Sequence, residues 1–81
     1  MEFENKEFGA CRLLKCNYNK GACLIEIKDK NRTFPYVVTT RVSKDGTWAK
    51  AEYYQNLKEA EVVYISMISE GIVENNDSRT N

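Results

Sequence analysis

Four short stretches of the chain carry apolar side chains at alternate positions, and one carries them at every third or fourth. The first spacing is that of a strand buried on one side; the second is that of a helix laid on a core. The strand-like stretches are residues 8–16, 22–28, 34–42 and 48–54, and the helical one is 57–70. Between the strands stand Asn17-Tyr18-Asn19-Lys20-Gly21, Asp29-Lys30-Asn31-Arg32 and Ser43-Lys44-Asp45-Gly46-Thr47. Asn, Asp and Gly tolerate the backbone angles of tight turns, so three hairpins in series are expected. Asn56 supplies an N-cap for the helix, and Glu59 completes a capping-box pattern. Leu57, Ala60, Tyr64, Met67, Ile68 and Gly71 line one side of it, with Gly71 a natural stop. The pattern predicts one small α+β domain over residues 1–71, followed by a flexible polar tail, 72–81. Its architecture is a four-stranded antiparallel meander with one C-terminal helix packed on one face, ββββα in order.

Loop length sets the register. Short loops centred on Asn19-Lys20, Asp29 to Arg32 and Asp45-Gly46 pair Cys16 with Cys23, Leu14 with Ile25, Ile27 with Phe34, and Val38 with Tyr53. Side chains alternate across a strand, so Cys16, Cys23, Ile25, Ile27, Tyr36, Val38, Ala51 and Tyr53 would gather under the helix. The opposite face would present a row of Lys15, Leu24, Val37 and Tyr54. Trp48 would lie beside that row, and Arg41 would stand directly opposite Lys50. Like charges opposed across antiparallel strands are mildly destabilising. A bound anion or an acidic partner relieves such a conflict, and so does splaying both side chains into water. A three-residue Lys44-Asp45-Gly46 loop is the alternative at the last hairpin, and it swings Trp48 into the core beside Val42.

Composition narrows the chemistry. With 81 residues there is room for one small core, and no apolar run approaches the ~20 residues of a membrane helix. The opening Met1-Glu2-Phe3-Glu4-Asn5 is acidic and lacks the basic-then-apolar order of a signal peptide, so a cytoplasmic protein is expected. Histidine is absent, which removes Ser-His and Cys-His nucleophile pairs and imidazole ligation of a metal. Cys11, Cys16 and Cys23 contain no CxxC pair and are expected to be small buried hydrophobes, with a zinc site completed by a carboxylate as the alternative. The carboxylates are scattered and there is no Gly-rich phosphate loop. A non-catalytic protein without metal or small-molecule cofactor is therefore expected.

Net charge is zero, but residues 11–50 hold nine Lys and Arg against three Asp and Glu, a local +6. The helix and both ends are correspondingly acidic. A basic, aromatic sheet face admits two partners. A protein partner, or a second copy of the chain, fits an apolar centre of Leu24, Val37, Trp48 and Tyr54 rimmed by Lys15, Arg41 and Lys50. This is the favoured expectation, and it suits a short accessory or inhibitor-type protein of the kind phages and mobile elements carry. Nucleic acid is the alternative, since sheets lay basic and aromatic side chains along phosphates and bases. The strand-hairpin-helix outline, with Leu57-Lys58-Glu59-Ala60-Glu61 opening the helix, distantly resembles the arm-site DNA-binding domains of tyrosine recombinases. That resemblance spans about half the chain and implies a sheet seated in the major groove. Zero net charge weighs against it, because phosphate affinity needs a basic excess.

Overall fold

A computed structural model describes residues 1–69 in full; the expected polar tail, 72–81, lies outside the described residues. Five strands and one helix follow in order: β1 (Glu2–Asn5), β2 (Gly9–Asn17), β3 (Ala22–Ile27), β4 (Tyr36–Thr39), β5 (Ala51–Tyr54) and α1 (Leu57–Thr80). The strands form one antiparallel meander in chain order, β1-β2-β3-β4-β5. The α+β class is the expected one, with a strand added at the N-terminal edge. There Glu2-Phe3-Glu4 alternates polar and apolar, and Phe3 pairs with Cys11. Helix α1 begins where its cap predicts: the Asn56 side-chain oxygen accepts the Glu59 N–H at 2.8 Å.

The register departs from the expected one by a single residue over most of the sheet, and the cause differs at each loop. Next to the first turn Cys16 does pair with Cys23. A bulge at Leu14 then shifts β2, so that Leu13, not Leu14, faces Ile25. The connection after β3 is one residue longer than Asp29 to Arg32. The Ile27 N–H donates to the Pro35 carbonyl at 2.7 Å, and Ile25 faces Val37 rather than Tyr36. The last turn closes from Ser43 to Thr47 (N–H to carbonyl, 2.8 Å) around the three residues Lys44-Asp45-Gly46. Gly46 takes the left-handed conformation at φ +84° that such a loop demands. Val37 consequently faces Tyr53, and Val38 faces Glu52.

A one-residue slip exchanges the two faces of a strand. Helix α1 therefore covers Ala22, Leu24 and Val38, with Leu14, Tyr36 and Tyr54 at the margin, and meets them through Leu57, Ala60, Val63, Tyr64, Met67 and Ile68. Leu24 was expected on the open face; it is fully buried beneath the helix. The other face carries a second core of Cys11, Ile25, Ile27 and Val37, roofed by Phe3, Phe8, Leu13, Val42, Trp48 and Ala51. It is not an open sheet face. The sheet curls until the β4–β5 connection meets β1, where the Asn5 side-chain amide donates to the Gly46 carbonyl at 2.8 Å. The side-chain oxygen of Asn5 accepts the N–H groups of Glu7 and Phe8, so this buried residue has partners for both ends of its amide.

Candidate interaction surfaces

The seven residues expected to form one partner-binding face lie in several places. Leu24 and Tyr54 belong to the helix-covered side, Leu24 fully buried and Tyr54 at its margin with its hydroxyl donated to Glu52. Lys15 is exposed on β2 and reaches Glu61 of α1 at 3.8 Å. Val37 is fully buried on the opposite side, and Trp48 is half-buried above that second core. The expected opposition of Arg41 and Lys50 on paired strands does not occur, because β4 ends at Thr39 and β5 begins at Ala51. Arg41 lines a cleft with Tyr18, whereas Lys50 lines another, between β4, β5 and α1, with Val63 and Met67. Only Val37 and Trp48 remain together on the face away from the helix.

Around Trp48 the molecule assembles a surface that the expected register hid. Phe8, from the β1–β2 turn, stacks on the Trp48 ring at 5.5 Å between centroids with the planes 3° apart. Phe3 meets the same indole edge-on at 6.4 Å, and Tyr53 tilts against Phe8 at 5.8 Å. The Trp48 indole N–H donates to the Tyr53 hydroxyl at 3.0 Å, which holds two of the aromatic side chains in a set geometry. Arg32, from the β3–β4 connection, lays its guanidinium 4.5 Å above the centre of the Phe8 ring. It forms no ion pair among the described residues, whereas Arg12, Lys15 and Lys28 are paired with Glu2, Glu26 and Glu61. Tyr53 is 39% exposed, so the group presents an aromatic rim and a cation to solvent.

A second feature lies between the β2–β3 turn and the β4–β5 connection. Tyr18, Gly21, Thr40, Arg41, Val42, Ser43 and Lys44 line an open cleft of about 600 Å³. Two cations and three hydroxyl groups border it, and no carboxylate does. Behind the Tyr18 wall lie two thiols. A hydrogen bond with Cys16 raises the Tyr18 phenol above its ordinary value. Burial first, and then the neighbouring Cys16, push the Cys23 thiol up to about 12, while a hydrogen bond from the Val42 backbone pulls the other way. Cys11 stands apart in the second core, its thiol likewise raised by burial. Among the described residues no three Cys, Asp or Glu side chains converge as a metal site requires.

No protein-family model, curated protein or solved structure matches this chain. Phe3, Phe8 and Tyr53, which touch Trp48, and Arg32, which lies over Phe8, are not legible in the expected register, which places Tyr53 under the helix and leaves β1 out. The signal that finds Tyr53 is the Lys44-Asp45-Gly46 loop: with three residues in it, Tyr53 pairs with Val37, as observed. The same loop is expected to swing Trp48 under the helix beside Val42; both pack instead on the face away from the helix, because regular pairing stops at Thr39 and Ala51.

Proposed function

We propose that this protein is a cytoplasmic, non-catalytic binding module of accessory or inhibitor type that engages a protein partner through Phe8, Arg32, Trp48 and Tyr53. The observation that carries the proposal is Arg32, held over an aromatic stack without a carboxylate to pair with among the described residues. Tryptophan, tyrosine and arginine are the residues in which interfaces concentrate their energy. A partner that brings an acidic side chain to the guanidinium and an apolar one to the Tyr53 rim satisfies both features. The alternative is nucleic acid, favoured by one observation: Arg41 and Lys44 border the cleft beside the exposed Tyr18 with no carboxylate among the lining residues.

Affinity capture from the source cell, with and without nuclease, supplies the partner; binding is then measured across a salt series. For a protein partner, Tyr53→Ala and Arg32→Ala each weaken binding about tenfold or more, and the salt dependence of the parent is shallow. For nucleic acid, affinity falls steeply with salt, and Arg41→Ala with Lys44→Ala flattens the slope by about two phosphate contacts. A second copy of the chain as partner reveals itself as concentration-dependent sedimentation that Tyr53→Ala abolishes. If the two aromatic-surface variants bind a captured protein as tightly as the parent, the proposal fails.

A further inference from the structure

The β2–β3 hairpin places Cys16 and Cys23 directly across from one another, and both are free thiols. We propose that this pair is a dithiol–disulfide site, closed by a low-molecular-weight disulfide and reopened by thiols. Residues directly opposed on antiparallel strands have Cα atoms about 4.5–5.5 Å apart, and their side chains leave the same side of the sheet. A disulfide spans Cα separations of about 4.4–6.8 Å, so the bridge needs no backbone rearrangement. Access divides the roles. Cys16 is half-buried and open to a reagent from solvent, whereas Cys23 is fully buried beside it. Cys11 pairs with Ile27 within the second core, so the third thiol has no cysteine across from it.

The chemistry follows that division. The Cys16 thiolate attacks one sulfur of the small disulfide, forming a mixed disulfide and expelling one thiolate. The Cys23 sulfur then attacks Cys16 and expels the second. Two protein thiols lose two electrons, the reagent gains them as two thiols, and the two protein protons pass to those leaving groups. The bridge forms at the base of the Tyr18–Gly21 turn and takes up the Cys16 thiol that neighbours the Tyr18 phenol. It therefore alters the wall of the cleft that Arg41 and Lys44 border. This site is independent of the aromatic surface around Trp48.

The test is incubation of the native protein with oxidised glutathione, followed by thiol titration in denaturant and peptide mapping. Free thiols are expected to fall from three to one, with Cys16 and Cys23 in one linked peptide and Cys11 free. Dithiothreitol restores all three without change in the far-ultraviolet circular dichroism. Cys16→Ser keeps both of its remaining thiols through the same treatment. Cys23→Ser stops at a stable glutathione adduct on Cys16. Three thiols persisting in the native parent would overturn the proposal. So would a bridge that includes Cys11, or a glutathione adduct on Cys16 that never closes. Because the parent itself is measured, a variant that fails to fold does not protect the idea.

Discussion

At the scale of single residues, burial shows itself most plainly in groups that resist ionisation. The Cys23 thiol is pushed from 9.0 up to about 12 by burial, and the Tyr54 phenol from 10.0 to about 12 by its hydrogen bond to Glu52. Burial also raises Cys11 and Tyr64. A group whose pKa is higher in the folded chain keeps its proton there after the unfolded chain has lost it. Stability from such groups is complete below the unfolded values and drains away as pH rises toward the folded ones. Urea unfolding in the presence of reductant should therefore give midpoints that hold steady from pH 7 to about 9 and then fall progressively toward about 12. Cys23→Ala should fall less steeply over the same interval. A parent midpoint that is flat to pH 11 would contradict both the burial of Cys11, Cys23 and Tyr64 and the hydrogen bond of Tyr54 to Glu52.

At the scale of elements, helix and strands behave differently as objects of inference. The apolar stripe of α1 follows from its own 3.6-residue period, and the side chains that meet the sheet include those the period selects: Leu57, Ala60, Tyr64, Met67 and Ile68. Tyr64 is 7% exposed and packs among Ala22, Leu24, Val38 and Ala60. Tyr64→Ala should cost about 3 kcal/mol in chemical denaturation, as aromatic truncation in a core does. Val62 and Ile65 point the other way, 63% and 53% exposed. Their joint replacement by Ser should change stability by less than about 1 kcal/mol, the scale of surface substitutions. The reverse ranking of these two variants would mean that the helix docks through its other side.

At the scale of the whole molecule, two cores on opposite sides of one curled sheet depend on the β4–β5 connection reaching β1. Gly46 is the point of contact. Its left-handed backbone suits glycine, and a Cβ built there runs into the Glu4 carbonyl oxygen and crowds the Phe3 ring at 3.1 Å. The obstruction is backbone and cannot rotate aside. Gly46→Ala should cost about 2 kcal/mol or more, the sum of backbone strain and a displaced neighbour. Because the displaced strand carries Phe3, which packs on the indole, Trp48 fluorescence should shift to the red in the same variant. Wild-type stability in Gly46→Ala would show that the connection and β1 are not in contact.

Local pattern by itself determined the α+β class, the meander order, the three turns, the capped start of α1 and the stripe by which it docks. Each of these is set by residues near one another in the chain: Asn56 with Glu59, Cys16 with Cys23 across a tight turn, and the Asn, Asp and Gly residues of each loop. Which face of the sheet the helix covers was decided only in three dimensions. Both alternating sets of β3 and β4 are apolar, so Leu24 with Val38 and Ile25 with Val37 each make an acceptable core. A pattern that is apolar on both faces does not distinguish one register from its neighbour. The choice fell to the bulge at Leu14, the added residue before Pro35 and the meeting of Gly46 with β1. The last of these joins positions 41 residues apart in the chain, and no local spacing records it.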